Sequence, residues 1–272
     1  MTPYINSSIQ NNICYIEFFT PKHNALNSNM LDQLANKIEE TPEHCAVIVL
    51  SSGGDRTFCA GASFDELSQI KNQEEATIFF NGFAKVILSI KACPQIVIVS
   101  VQGGFAKVIL SIKACPQIVL VSVQGKAVGG GVGIIAAADY AIALENAALK
   151  LSELNIGIGP FVIAPAIVKK SGINVLTEMS LNPDNFYSAK WAKQKGLFHK
   201  VCENQSDLKI TTNNFANKLA SFNVNALKAM KHVFWENTEH WPELLEKRAE
   251  TSGSLVLEKA VQDKIRTILS KS

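Results

Sequence analysis

The chain has 272 residues, of which 47% are hydrophobic and 18% charged, and its formal net charge is +2. This length and composition suit a globular protein with a substantial core, and the even spread of both charge signs excludes nucleic acid as an expected partner. The N-terminus shows no secretory or transit pattern and no apolar stretch has the length of a membrane span, so we expect a cytoplasmic protein without a membrane partner.

The first part of the chain alternates predicted strands and helices. Residues 12–19 alternate in polarity like a strand, and residues 29–40 place apolar side chains at helical spacing. Residues 45–52 form a short, continuously apolar run, typical of a strand buried on both faces. A glycine-rich loop then leads into a predicted helix over roughly residues 64–92. The pattern therefore indicates βα units.

A tandem duplication interrupts this pattern. Residues 82–103 and 104–125 are two copies of one 22-residue block that differ only at Ile98 and Leu120. Each copy predicts one helix followed by one strand. Solenoids need about three or more units, so two copies indicate an insertion into a parent chain that is not a repeat protein. We expect the helix of the first copy and the strand of the second to hold the native places, with about residues 92–113 looped out.

The remainder of the chain is mainly helical. After the second copy come a turn, a helix of small residues from about Gly130 and another short strand, and beyond residue 165 the pattern is mostly amphipathic helix. We therefore predict a core over residues 1–200, which contains the duplication, and a C-terminal helical region over residues 201–272.

Three segments at predicted strand ends carry the candidate chemistry. They are TFCAGASFDEL (57–67), GKAVGGGVG (125–133) and KLSELNIGIGP (150–160). Glycines let backbone N–H groups approach a ligand closely, and a helix N-terminus adds partial positive charge. Two such N–H groups from different loops, aimed at one carbonyl oxygen, would form an oxyanion hole worth about 3 kcal/mol per donor. This favours enolate or acyl chemistry, although the same glycines would also suit tight turns and close helix packing.

Together and in this order, FCAGAS, GKAVGGG and SELNIG resemble three motifs of the enoyl-CoA hydratase/isomerase, or crotonase, superfamily. The resemblance covers most of residues 10–235. It implies an α/β fold with a spiral core of ββα units and C-terminal helices that mediate trimer formation, so we expect a homotrimer or homohexamer. It also implies an acyl-CoA thioester substrate, in which coenzyme A is part of the substrate and no separate cofactor is needed.

The resemblance also assigns roles to particular positions. The backbone N–H groups of Ala62 and Gly130 would form the oxyanion hole, and Glu153 would be the general acid/base. A carboxyl group in an apolar pocket has a raised pKa and can exchange protons at neutral pH, whereas an acid after Ser152 could otherwise simply cap a helix. The positions assigned to substrate or CoA binding are Lys22, Ala25, Ala60, Ser63, Phe64 and Gly129.

Three departures from the family pattern qualify this assignment. Gly133 stands where hydratases of the family commonly carry a second glutamate, Ser63 replaces the more usual Asp, and the C-terminal tail lacks the frequent E-K-R-x-P-x-F ending. We expect an enoyl-CoA hydratase that uses Glu153 alone, with a Δ3-Δ2 enoyl-CoA isomerase or a non-catalytic acyl-CoA-binding member as alternatives. The LSEL variant at residues 151–154 resembles dehydratases that act on branched 3-hydroxyacyl thioesters.

Other kinds of site have weaker support. The segment GVGIIA (131–136) fits the dinucleotide-binding pattern G-x-G-x-x-A, but that pattern needs its first glycine at the end of a strand, and KAVG intervenes here. The sequence contains no G-x-S-x-G motif of a serine hydrolase. The histidines show no metal-ligand spacing, so we expect no metal site.

Overall fold

Strands and helices alternate along the chain as the sequence pattern predicts. The computed structural model describes residues 2–10, 13–21, 23–40, 47–54, 57, 60, 63–73, 75–76, 96–99, 118 and 120–270. The strands are β1 Tyr4–Gln10, β2 Ile13–Phe19, β3 Val47–Ser52, β4 Ile96–Val99, β5 Leu120–Val123, β6 Lys126–Val128, β7 Tyr140–Leu144, β8 Ala148–Lys150, β9 Tyr187–Ser188 and β10 Lys200–Cys202. The helices are α1 Ser28–Glu39, α2 Phe64–Leu67, α3 Gly130–Ala137, α4 Glu153–Ile156, α5 Ala164–Ser171, α6 Ile173–Leu181, α7 Ala189–Gln194, α8 Gln205–Ala220, α9 Val224–Phe234, α10 Trp241–Val256 and α11 Lys259–Leu269.

A largely parallel sheet forms the centre of the molecule. Seven of the described strands lie in the order β1-β2-β3-β4-β5-β7-β10. The pair β1-β2 is antiparallel, and each of the other neighbouring pairs is parallel. All four residues of β5 are buried, as expected where helices cover both faces of a parallel sheet. Strands β6, β8 and β9 form a second, smaller sheet. The predicted α/β class is confirmed.

The predicted helix over residues 64–92 is wrong in its first part. Helix α2 begins at Phe64 as expected but ends at Leu67, and the Ser68 hydroxyl that follows donates to the carbonyl oxygen of Asp65 at 2.8 Å. Residues 77–92 of the predicted helix lie outside the described residues. A new helical turn starts after Asn72, whose Oδ1 accepts a hydrogen bond from the Glu75 N–H at 2.8 Å. Both hydroxyl and amide side chains compete in this way with a continuous helix.

The duplicated block contributes two strands to the sheet. Strand β4 comes from the first copy and β5 from the second, and they lie side by side. The pairs in register are Ile98 with Leu120 and Val99 with Val121, so each residue lies opposite its own counterpart. The expectation that residues 92–113 are looped out is therefore wrong for Ile96–Val99, and the rest of that segment lies outside the described residues.

The physical reason lies in the composition of the copied strand. Its β-branched residues favour the sheet, and a looped-out strand would leave its backbone donors and acceptors without ladder partners. A neighbour with nearly the same sequence offers the same pattern of groups, and β4 pairs with β3 on its other side. The copy therefore widens the sheet by one strand.

Helices cover the C-terminal part of the chain, from α8 to α11. Helix α11 packs against α2 and α4, and the Val261 side chain of α11 closely approaches Gly157 at the end of α4. Strand β10, Lys200–Cys202, pairs with β7 and spans the predicted boundary after residue 200. The division into 1–200 and 201–272 stays a prediction. Within the described ranges, no helix has the length and apolar character needed to cross a membrane.

Candidate active site

Glu153 lies where β8 turns into a short helix. Strand β8 ends at Lys150, and Glu153 is the first residue of α4. The helix stops after one turn because Gly157 adopts a left-handed conformation, with φ of 90°. A side chain at position 157 would collide with Val261, since a Cβ atom there would lie 2.8 Å from its Cγ2 atom. The packing of α11 on this turn thus fixes the position of Glu153.

Glu153 is half-buried as a residue, and at least one oxygen of its carboxyl group is removed from solvent. Its Oε2 atom is buried and has no hydrogen-bond partner among the described residues. Burial raises the pKa of Glu153 from 4.5 to about 7, and the backbone N–H groups of Glu153 and Ser152 partly oppose this shift. Because loss of hydration disfavours the charged form, the group can hold or release a proton near neutral pH. This is the property that a general acid/base requires.

The carboxyl group packs against the first turn of α3. Gly129 is the N-cap of α3, and a Cβ atom at this position would lie 2.8 Å from Glu153 Oε1. Gly129 has φ of 58° and ψ of −122°, a conformation that glycine alone adopts without strain. Its N–H group donates to the Lys150 carbonyl oxygen at 2.8 Å, which joins the start of α3 to the end of β8.

The next residue, Gly130, begins α3 directly beside this carboxyl group. The first N–H groups of a helix have no partners inside the helix, and the helix dipole makes this end partly positive. Every residue of α3 is buried. An oxygen that gains negative charge here would therefore meet N–H donors in a site with little water. Gly129, Gly130 and Glu153, predicted from separate segments, are brought together.

Asn24, in the segment after β2, anchors the loop that follows β3 at Gly53 and Thr57. Asn24 is only 2% exposed, and its Nδ2 atom donates to the carbonyl oxygens of Gly53 at 2.9 Å and Thr57 at 2.7 Å. Its Oδ1 atom accepts from the Thr20 N–H at 2.8 Å. The residue has φ of 55°, which asparagine tolerates better than most residues. Sequence reasoning missed Asn24, although an asparagine in the polar loop KHNALN was the available signal.

The same loop is tied to the segment after β2. The Ala60 N–H group donates to the His23 carbonyl oxygen at 2.9 Å, and the Ser63 N–H group donates to that of Leu26 at 3.0 Å. These bonds hold the backbone on both sides of residues 61 and 62, which lie outside the described residues. The Ser63 hydroxyl accepts from the Glu66 N–H at 3.4 Å and caps α2.

The inserted strand does not separate the two loops of the candidate site. Strand β4 lies between β3 and β5, yet Thr57, beyond the end of β3, forms a parallel bridge with Lys126 in β6. Loops at the carboxyl ends of parallel strands meet at one edge of the sheet. The loop that contains Thr57 therefore still contacts β6, the strand before α3, despite the duplication.

A cleft of about 520 Å³ opens beside these elements. Its volume is in the range of small-molecule sites, about 300–1,000 Å³. Its lining residues come from the anchored loop and from the strands before and after α3, and they are His23, Thr57, Ala60, Gln124, Gly125, Lys126, Val128 and Asn146. Val128 immediately precedes Gly129 in the chain, whereas neither Gly129 nor Glu153 lines the cleft.

The remaining assigned positions are distributed around this site. Ala25 is half-buried, and its carbonyl oxygen accepts from the Thr20 hydroxyl at 3.0 Å. Phe64 is half-buried and packs against the core. Lys22 and Ala62 lie outside the described residues, so the CoA contact assigned to Lys22 and the oxyanion donor assigned to Ala62 stay predictions. Gly133 lies buried in α3 and provides no second carboxyl group.

Comparison with known proteins connects this geometry to a family. The model of the enoyl-CoA hydratase/isomerase family matches residues 8–107 and, in a second match, residues 104–266. The two matches meet inside the duplicated region. A short-chain-enoyl-CoA hydratase of Clostridium acetobutylicum is 29% identical over 77% of this chain and 72% of its own.

Two further relatives match this chain over a smaller part of their own length. A bacillaene synthase dehydratase, PksH, of Bacillus subtilis is 24% identical over 62% of this chain and 57% of its own. A probable enoyl-CoA hydratase of the same organism is 25% identical over 57% of this chain and 52% of its own. The chain thus spans little more than half the length of these two relatives.

Solved structures support the crotonase-type fold. The crystal structure of an enoyl-CoA hydratase from Bacillus halodurans superposes with a TM-score of 0.80, covers 97% of this chain and 99% of its own, and is 19% identical. The crystal structure of B. subtilis PksH gives a TM-score of 0.71 at 22% identity, with 98% and 97% covered. At these identities the likeness establishes the fold, and the crotonase-like fold class predicted from the sequence is confirmed.

Proposed function

Because the chain belongs to the enoyl-CoA hydratase/isomerase family, we propose that it catalyses the reversible hydration of an enoyl-CoA thioester to a 3-hydroxyacyl-CoA. The observation that carries the proposal is the Glu153 carboxyl group, buried against Gly129 at the start of α3, with its pKa raised to about 7. The names of the C. acetobutylicum and B. subtilis relatives support a hydratase or dehydratase over other activities.

The proposed mechanism uses one carboxyl group for both proton transfers. The N–H groups of Gly130 and Ala62 bind the thioester oxygen and draw electron density from C3 of the enoyl group. Ionised Glu153 takes a proton from water while the water oxygen bonds to C3 and the electrons move to the thioester oxygen. The resulting enolate collapses, and C2 takes the proton from Glu153. One water is added, and the carboxylate is regenerated.

The absence of a glutamate at position 133 favours isomerisation as the second candidate. A Δ3-Δ2 isomerase needs no water and moves one proton from C2 to C4, for which a single carboxyl group suffices. The same oxyanion hole would stabilise the dienolate intermediate. A non-catalytic acyl-CoA-binding protein is the remaining alternative, and the buried Glu153 carboxyl group with its raised pKa supports a catalytic member, because such groups cluster at catalytic sites.

Several finer features belong to the same proposal. Coenzyme A would enter as part of the substrate, with no separate cofactor, and the 520 Å³ cleft is the candidate path for its pantetheine arm. A homotrimer or homohexamer and a cytoplasmic location stay predictions. A branched 3-hydroxyacyl substrate is the narrower hypothesis, which the dehydratase PksH among the relatives supports.

Mass analysis of the reaction products separates the candidate functions. The protein is incubated with crotonyl-CoA, a 3-enoyl-CoA and 3-methylglutaconyl-CoA, and the acyl-CoA products are resolved by chromatography with mass detection. We expect crotonyl-CoA or 3-methylglutaconyl-CoA to gain the mass of one water. Conversion of the 3-enoyl-CoA alone, with its mass unchanged, would favour the isomerase. Binding of all three esters without turnover would identify a non-catalytic member.

A further inference from the structure

A second cleft lies on another part of the molecule, between α5, α8 and α9. Its volume is about 550 Å³. It shares no lining residue with the 520 Å³ cleft of the candidate active site. The residues that enclose it include both apolar and ionisable side chains, and helix α9 contributes apolar side chains as well as the Lys231 that pairs with Asp139. The mechanism proposed above uses none of them.

The polar wall is built around Asp139, which follows α3. The Asp139 carboxylate forms an ion pair with Lys231, which is 2% exposed, and accepts a hydrogen bond from Trp235 Nε1 at 2.9 Å. The charge of Asp139 is thus balanced by Lys231. Lys170 adds a further ammonium group, which donates to the carbonyl oxygens of Ala138 at 2.5 Å and Asp139 at 3.3 Å.

The described side chains of this wall carry a net positive charge at neutral pH. One carboxylate, Asp139, faces the ammonium groups of Lys170 and Lys231, and Lys169 at the exposed edge adds another. His199 contributes no charge at neutral pH, because burial and the nearby Lys170 lower its pKa to about 4. Its Nδ1 atom accepts a hydrogen bond from the Ala141 N–H at 3.0 Å. Among the side chains that the structure describes, the polar wall therefore carries more ammonium groups than carboxylates.

Lys170 is the group that bears this excess. Burial lowers the pKa of Lys170 to about 8, Asp139 opposes the shift and Lys231 adds to it. Carbonyl oxygens are its partners within the described part of the chain, and they use two of the three ammonium donors. A carboxylate bound next to Lys170 would supply both an acceptor and a compensating charge.

Apolar side chains of α8 and α9 adjoin this polar wall, and some of them are partly exposed to solvent in the single chain. Met230 is 47% exposed and Phe234 is 46% exposed on α9, and Leu227 of the same helix is half-buried. Leu219 of α8 is buried, with 7% exposure. Aliphatic and aromatic side chains at the rim of a cleft provide a surface for a hydrocarbon chain, and methionine adapts its shape to different ligands.

We propose that this cleft is a binding site for a monocarboxylate with an aliphatic chain, whose carboxylate lies at Lys170 and whose chain lies along Leu219, Leu227, Met230 and Phe234. The excess of ammonium groups over carboxylates among the described side chains, together with the adjacent exposed apolar side chains, is complementary to such a ligand. This site is independent of the proposed hydratase reaction.

Methionine methyl signals offer a direct test with octanoate as the probe. The chain contains four methionines, and Met230 lines the cleft, whereas Met30 and Met179 are buried in the core with 5% and 0% exposure. In a spectrum of the full chain labelled at the methionine methyl carbons, we expect octanoate to shift the Met230 signal saturably while the Met30 and Met179 signals stay in place. Octanamide, which has no charge, should bind at least about tenfold more weakly.

Two variants distinguish the proposed site from nonspecific adsorption. Lys170→Met removes the ammonium group but keeps most of the length of the side chain, and Phe234→Glu places a negative charge at a side chain that is 46% exposed. Each should weaken octanoate binding at least about tenfold, whereas Lys190→Met, an exposed lysine of α7, should not. An unmoved Met230 signal, or equal affinity for octanoate and octanamide, would overturn the proposal.

Discussion

Replacing Glu153 by glutamine is expected to lower kcat for hydration by about 10²–10⁴-fold, the range that general acid/base groups contribute. The amide keeps the size of the side chain but can neither take a proton from water nor deliver one to C2. KM should change little, since the thioester oxygen is bound by backbone N–H groups. Steady-state kinetics with the preferred enoyl-CoA ester measures the effect.

The control for this variant is Glu246→Gln, at an exposed position of α10. Its kcat should equal that of the unaltered protein. If Glu153→Gln retained full activity, Glu153 would not be the acid/base, and the mechanism would have to use another group even if the protein is a hydratase.

The same variant should be more stable than the unaltered protein at alkaline pH. The pKa of Glu153 is raised from 4.5 to about 7 in the folded state, so the folded protein loses stability as the pH rises from about 4.5 to about 7. The difference corresponds to about 3 kcal/mol at most above about pH 7. Glutamine lacks this loss. Urea unfolding at about pH 5 and about pH 8 should show a stability gain in the variant that grows with pH.

Gly129→Ala is expected to reduce activity by at least about 100-fold, because the added methyl group would lie 2.8 Å from Glu153 Oε1. The carboxyl group or the first turn of α3 must then shift, and either movement misaligns the acid/base with the oxyanion donors. The φ of 58° also strains alanine, which adds about 1–3 kcal/mol of destabilisation. Steady-state kinetics and urea unfolding measure the two effects.

Gly172→Ala separates these two causes. Gly172 has φ of 84°, and a Cβ atom there meets nothing within 4 Å among the described atoms. This variant therefore carries a comparable backbone strain without a contact near Glu153, and its kcat should be unchanged. Equal activity losses in both variants would mean that backbone strain, and not the position of the Glu153 carboxyl group, governs catalysis.

The sequence predicted the elements whose residues follow a clear local pattern. Alternation identified β2, helical spacing identified α1, and a continuous apolar run identified β3. These patterns repeat over several residues and depend on burial of one or two faces, which is a property of the local chain. The family resemblance assigned catalytic roles to Glu153 and Gly130. In the structure, the Glu153 carboxyl group lies next to Gly129.

Other features depend on contacts between distant segments. Strands β6, β8 and β9 have two or three residues each, too few for a periodic signal. The pairing of β4 depends on competition between two copies with nearly the same sequence, which no local pattern resolves. Asn24 acts through hydrogen bonds to Gly53 and Thr57, about 30 residues away, and the contact of Gly129 with Glu153 requires the fold.

The pH dependence of kcat/KM for hydration tests most directly the claim that a carboxyl group with a pKa of about 7 is the base that activates water. For the free enzyme, this parameter reports the ionisation of the essential base. We predict a level profile above about pH 7 and a fall that approaches tenfold per pH unit below it. A profile that is level from about pH 5 to about pH 8, in a protein that forms the 3-hydroxyacyl product, would contradict the account.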